Sequence, residues 1–158
     1  AEKVERVKQA TDAVAEATKD DPGCGRLRSV PGLEPINAAG LSVALEAPQA
    51  YGNARAFAAA LRLVPRQWES ADKQKMLGIG PESANDTRRH LVLAGQSLLT
   101  MVARMKQPPS DRFLLWVYRM GQRKNRNVAA VAVAAKLARI AWALMAKDTV
   151  YRPEAVAA

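Results

Sequence analysis

The segment LVPRQWESADKQKMLGI, residues 63–79, sets one serine, Ser70, among three cations, Arg66, Lys73 and Lys75. A serine hydroxyl is a weak nucleophile unless a base, a metal or strong charge stabilisation assists it. Cations in the same stretch suit the last of these, because they stabilise the charge that gathers on an attacked phosphate. Glu69 and Asp72 flank the serine and oppose that field locally. The one histidine, His90, lies outside the stretch, so a serine–histidine pair within it is excluded. The same composition also fits a solvated basic linker between two helices. The residues alone leave both readings open.

Further cations fall at positions where a phosphate could be held. Arg88 and Arg89 lie in the first turns of the helix expected after this segment, against the preference of the helix dipole. A bound phosphate would offset that cost; a solvated face is the alternative. Arg123, Lys124 and Arg126 belong to GQRKNRN, residues 121–127, read as a basic loop. Lys136 and Arg139 lie together on one face of the helix that follows. Gly32 sits in the turn PGLEP, residues 31–35, between two helical patterns. That layout is the one of a helix-hairpin-helix, in which backbone N–H groups and a helix N-terminus face a phosphate. Such turns usually read Gly-x-Gly, and Glu34 stands at the second glycine. A plain helix–turn–helix corner is an equal reading.

The charge distribution bears on all of these. The chain has 158 residues and a net charge of +9. Residues 1–61 hold 7 basic and 8 acidic side chains, whereas residues 62–139 hold 15 basic and 5 acidic. A local excess of this kind is the footprint of a nucleic-acid surface, although it sets attraction and not specificity. A basic surface without a partner is the alternative.

The chain is long enough for one ordinary domain with its own core. It is 49% apolar, rich in alanine and poor in aromatics, which favours closely packed helices. No segment alternates with period two, so the domain is expected to be all-α. Residues 2–19 read as an amphipathic helix with Val4, Val7, Thr11, Val14 and Thr18 in a coiled-coil-like seam. DDPGCG, residues 20–25, is read as its break. A leading helix over 1–20 and a helical domain over 21–158 follow. A second helix begins near Pro35, and a third runs from an Asn53 cap to about Leu63, stopped by Pro65. Phe57, Ala60, Leu61 and Val64 form its apolar face. A long helix from Ser83 or Asn85 to about Lys106 buries Leu91, Val92, Leu98, Leu99 and Val102. Ser110 is read as the cap of a short helix with Phe113, Leu114, Trp116 and Val117 in the core. The last helix, Val128 to about Lys147, shares Val133, Leu137, Ile140 and Leu144 on one face.

Several function classes are excluded. Cys24 stands between two glycines with no second cysteine, so neither a disulfide framework nor a zinc site is expected, and a reducing compartment fits. The opening AEKVERVKQA lacks the pattern of a signal peptide. Val128 to Met145 is nearly long enough to span a bilayer, but Lys136 and Arg139 near its middle would each cost roughly 2.5–3.5 kcal/mol there. A buried helix with a basic edge, and no membrane, is expected instead.

VPGLEPINAA, FAAALRLVPRQWES, K-x-K-x-LGI and NVAAVAVAAKLARIAWALMAKDTVYRP occur in that order, covering about Arg26 to Pro153. Together they resemble the C-terminal half of insertion-sequence transposases of the Piv invertase type. Those enzymes pair an N-terminal RuvC-like DEDD nuclease domain with a C-terminal serine-bearing domain. The resemblance implies that Ser70 is the nucleophile and that DNA and a structured guide RNA are the partners. It implies Mg2+ on the RuvC-like domain and no cofactor on this chain. It also implies that the leading helix is a coiled-coil connector through which the full-length protein self-associates, in the bacterial cytoplasm at the nucleoid. The fragment alone is expected to be inactive. This sequence has Ala71 and Asp72 where the family keeps glycine after the serine, Gly80-Pro81-Glu82 after Gly78-Ile79, and Arg62 and Glu34 at two further glycine positions. A non-catalytic nucleic-acid-binding module is the alternative function.

Overall fold

The computed structural model describes residues 1–64 and 81–154. Among them are seven α-helices and one 3-10 turn, with no strand. The all-α expectation therefore holds. The helices are α1 (Glu2–Ala17), α2 (Pro22–Arg28), α3 (Pro35–Ala44), α4 (Ala54–Ala60), α5 (Pro81–Ala103), α6 (Arg112–Arg123) and α7 (Arg126–Lys147), and the 3-10 turn is Pro48–Tyr51.

α7 is the centre of the molecule. Ala130, Ala134, Leu137, Ala138 and Ala141 along it are fully or almost fully buried. Small side chains on several faces let α5, α4, α2, α6 and the 3-10 turn all reach this helix. The closest approach is to α5. A Cβ on Gly95 would stand 2.6 Å from the carbonyl oxygen of Ala130, so the two backbones touch there. Phe57, Leu27, Leu41, Leu45, Leu61 and Leu91 fill the space around α7, each stabilising the fold by roughly 1.5–3 kcal/mol through burial. Trp142 donates its indole N–H to the Pro48 carbonyl at 2.8 Å, tying the 3-10 turn to α7. The α7 sequence is long and apolar enough to cross a membrane, yet half of that apolar window is buried inside the protein.

Several element ends differ from the sequence expectation, each for a local reason. The DDPGCG segment does not merely break α1, because it contains α2. Asp21 caps that helix by accepting from the Gly23 N–H at 2.9 Å, and Pro22 occupies the first helical position. The carboxylate also accepts from the Ser42 hydroxyl at 3.0 Å, which fixes α2 to α3. Asn53 caps α4 as expected, accepting from Ala56 N–H at 2.8 Å. That helix ends at Ala60 rather than Leu63. Leu63 N–H bonds to Ala58 O and Arg62 N–H to Ala59 O, the Schellman pattern, with Arg62 left-handed at φ 55°. α5 starts at Pro81, ahead of the expected Ser83 or Asn85, and ends at Ala103, where i→i−3 bonds from Arg104 and Met105 tighten the last turn. The cap of α6 is Asp111, not Ser110. A carboxylate accepts from two amides, Phe113 and Leu114, at 2.7 and 3.1 Å.

The GQRKNRN stretch is not a loop, since α6 runs through Arg123 and α7 begins at Arg126. Asn125 caps α7, which therefore starts two residues before the expected Val128. Within α6 it is Leu115 that is buried, while Leu114 and Trp116 are half-buried. α1 packs along α3, and Thr11, Val14 and Thr18 of the expected seam are half-buried there. Val4 and Val7 at its other end are 72% and 63% exposed.

The chain after α7 turns back at Asp148, left-handed at φ 51°. Its last described stretch lies over the start of α6. The Tyr151 hydroxyl donates to the Asp111 carboxylate at 2.7 and 2.8 Å, and the Tyr151 N–H donates to Ser29 Oγ at 2.9 Å. Arg112 N–H donates to the Glu154 carbonyl at 2.9 Å.

Candidate nucleic-acid interface

α6 owes its two faces to residue spacing. Phe113 and Val117 fall on the buried side. Arg112, Trp116, Arg119 and Arg123, at i, i+4, i+7 and i+11, form a stripe on the other. With Leu115 and Gln122 they line a groove of about 420 Å³. Residues 112–147, which make up α6 and α7, contain eight Arg or Lys and no Asp or Glu.

Lys136 of α7 brings the second helix into this surface. Its Nζ lies 5.4 Å from the centre of the Trp116 ring. The ammonium pKa is pushed down, first by burial and then by the nearby Arg139 and Arg112 guanidiniums. Three cations thus repel one another at one place. Among the described residues, the ion pair of Arg112 with Glu154, at 3.3 Å, is the one such pair on this face. Both partners are about three-quarters exposed, so that pair contributes little stability. A surface of this kind attracts polyanions and gains most when a phosphate relieves the repulsion.

The structure distributes the residues singled out in the sequence over several places. Arg123, Lys136 and Arg139 belong to the α6–α7 face, while Lys124 is exposed at the α6 C-cap. Arg126 has a structural partner. Its Nη2 donates to Thr100 Oγ1 at 2.6 Å and approaches Gln96 O at 3.4 Å, holding the start of α7 against α5. With Arg104, Met101 and Thr100 it also lines a shallow surface groove along α5. Arg88 reaches the carbonyl of Arg62 at 3.4 Å, across to the end of α4, and Arg89 is exposed beside it. Both lie two turns inside α5, beyond the first turn where the dipole acts, so the dipole cost expected for them does not arise. Gly32 has φ 89°, and a Cβ there would stand 2.7 Å from Leu98 of α5. Conformation and packing on the core both require glycine at this corner. Ser70, Arg66, Lys73 and Lys75 lie outside the described residues.

Arg112 and Arg119 were not singled out in the sequence. Their signal was the i, i+7, i+11 spacing with Arg123, which the apolar periodicity of the same helix obscured. Among the described residues no group of three or more His, Cys, Asp or Glu side chains stands close enough to hold a metal ion. Cys24 is buried, and its thiol pKa is raised first by burial and then by Asp21, as suits an unreactive filler.

Residues 24–110 match the family model of the IS116/IS110/IS902 transposases. The chain is 34% identical over 132 residues to the transposase for insertion sequence element IS1328 of Yersinia enterocolitica, covering 84% of this chain and 38% of that protein. It is 33% identical over 135 residues to a probable family 20 transposase of Pseudomonas aeruginosa, covering 85% and 39%. It is 32% identical over 140 residues to the transposase for insertion sequence element IS1111A of Coxiella burnetii, covering 89% and 36%. The chain thus spans well under half the length of these relatives. No solved structure matches it significantly.

Proposed function

Because the chain belongs to the IS116/IS110/IS902 family of transposases, we propose that it is the part of a longer transposase that binds nucleic acid and supplies the nucleophile for strand exchange. Ser70 is that nucleophile. Its Oγ forms an ester with the phosphorus of one DNA phosphodiester as the bond to a deoxyribose oxygen breaks. The serine proton is lost and the leaving oxygen gains one, so the phosphodiester count is unchanged. The displaced hydroxyl later attacks the phosphorus of another phosphoserine ester and loses its proton, while the P–Oγ bond breaks and that serine leaves reprotonated, which completes the exchange. Arg66, Lys73 and Lys75 stabilise the charge on the phosphate in passing. Divalent metal, where the reaction uses it, is held elsewhere in the longer protein. DNA is the substrate, a structured guide RNA is the second partner, and α1 joins this domain to the rest and to a second copy.

The observation that carries this reading is the family match over 24–110, which brackets LVPRQWES and its serine. The test places the chain in a full-length transposase and compares Ser70 with Ser70→Ala in strand exchange. The expected outcome is loss of exchange and of a covalent protein–DNA adduct, with DNA binding retained. Equal exchange by the two proteins would sink the nucleophile assignment. Retained salt-dependent binding with no adduct from either protein would favour the non-catalytic binding module.

A further inference from the structure

We propose that the α6–α7 face is a binding site for the backbone of a DNA duplex, and that Glu154 competes with the DNA for Arg112. This rests on the reading of the chain as acting on nucleic acid, but goes beyond it by naming the surface, the form of the ligand and its internal competitor.

Three observations converge. First, the cations stand on rigid helical elements. Arg112, Arg119 and Arg123 share one side of α6, and Lys136 and Arg139 approach from α7. From Arg112 to Arg123 the stripe runs about 16 Å at 1.5 Å per residue. That is the axial length of roughly five phosphates of one strand. Second, the aromatic groups beside them are already engaged. Trp116 carries Lys136 over its ring and stacks on Phe113 at 6.4 Å between ring centres. Tyr151 is held by Asp111. A single strand is gripped by bases stacking on open aromatic faces, and here Lys136 already occupies one face of Trp116. The cation stripe reads phosphates, and a duplex presents them at a fixed spacing. The exposed ridge of α6 also suits the roughly 12 Å major groove of B-form DNA, whereas the deep, narrow groove of an RNA duplex refuses a helix.

Third, Glu154 reaches this site. Glu154 places one carboxylate oxygen 3.3 Å from Arg112 Nη1, and its carbonyl accepts from the Arg112 N–H. A phosphate that takes the Nη1 edge of Arg112 displaces that carboxylate. The backbone bond and the Tyr151–Asp111 contact keep the strand close by, so Glu154 returns when the DNA leaves.

The experiment measures binding of the 158-residue chain by fluorescence anisotropy. The probes are a 20-base-pair DNA duplex, an RNA duplex of the same length and a single strand, each over a salt series. Arg119→Gln/Arg123→Gln is expected to weaken duplex DNA binding about tenfold and to flatten the log–log salt slope by about two, one unit per lost phosphate contact. Both side chains are exposed, and an unchanged melting curve verifies that the fold is kept. Glu154→Gln is expected to strengthen binding roughly two- to fivefold at low salt, the scale of an exposed ion pair. Duplex binding that both variants leave unchanged, in affinity and slope, overturns the inference while the nucleic-acid reading stands. Tighter binding of the RNA duplex or the single strand overturns the choice of ligand. No binding of any probe at low salt overturns both readings, and an unchanged Glu154→Gln variant removes the competition.

Discussion

Replacing Gly95 with alanine sets two effects of opposite sign against each other. On helix propensity alone, alanine in the interior of α5 is favoured by about 0.8–1 kcal/mol. The structure predicts the reverse. The new Cβ would stand 2.6 Å from the carbonyl oxygen of Ala130 and 3.3 Å from its carbonyl carbon, where ordinary contact begins at 3.4 Å. The obstacle is the backbone of α7, so no side-chain rotation relieves it, and the two longest helices must move apart. Forcing an extra methyl into a packed contact costs roughly 1–3 kcal/mol, and a backbone obstacle belongs at the upper end. After the propensity gain, the net effect is a loss of about 1–2 kcal/mol. In a domain of this size each kcal/mol shifts Tm by roughly 2–4 °C. Thermal unfolding followed by far-ultraviolet circular dichroism should therefore show Gly95→Ala melting several degrees below the parent. Gly25→Ala is the matched control, because a Cβ there meets nothing within 4 Å. It should melt at or slightly above the parent. A Gly95→Ala variant as stable as the parent would refute the backbone contact between α5 and α7.

The left-handed Arg62 at the end of α4 should yield to glycine. Arg62→Gly is expected to stabilise by about 0.5–1 kcal/mol, read as a higher denaturant midpoint at unchanged m, because glycine carries no Cβ penalty at φ 55°. The Arg88 bond goes to the backbone carbonyl and survives the change. Tyr151→Phe removes the donor to Asp111 and should cost about 1–2 kcal/mol at neutral pH. The Tyr151 hydroxyl is pushed well above its ordinary pKa, first by burial and then by Asp111. Its contribution is therefore complete below about pH 10, where the unfolded tyrosine begins to ionise. As pH rises further, the stability gap between the parent and Tyr151→Phe should narrow; a gap that widens there would contradict the assignment.

The fold class and most of the core were legible because burial leaves a periodic trace. Val133, Leu137 and Leu144 are buried as read, and so are Leu91, Leu98, Leu99 and Val102. What was lost lies mostly at element ends, where one atom decides. Ser110 and Asp111 are both good caps, and the carboxylate won by accepting two amides and a tyrosine hydroxyl at once. The last of these comes from 40 residues away and leaves no local mark. In DDPGCG the same letters that break one helix start another, since Asp-Pro is both a stop and a cap followed by a first-turn proline. Arg62 shows the reverse case. A resemblance marked its position as one for glycine, and the structure supplies the reason, a left-handed residue closing a Schellman turn.

The interface was half legible for a different reason. Apolar periodicity reports what is hidden, and charge obeys no such rule, so Arg112 and Arg119 were passed over while the aromatics between them were read as core. The packing of α7 explains why the charges can be held there at all. Its small buried residues put the helix deep in the protein while its basic edge, Lys136 and Arg139, still reaches the Trp116 side of α6. A helix anchored that firmly keeps repelling cations together with Glu154 as the one counter-charge on this face among the described residues, and α5 fixes its start through Arg126. The repulsion is thus balanced by a core built elsewhere. Under the proposed function, a cost maintained in this way, in 36 residues with no acidic side chain, is offset when a phosphate arrives. The same argument distinguishes this face from the serine segment. There Glu69 and Asp72 lie among the cations, so under the proposed function long-range attraction of DNA would fall to α6 and α7, and Ser70 would meet a phosphate already delivered.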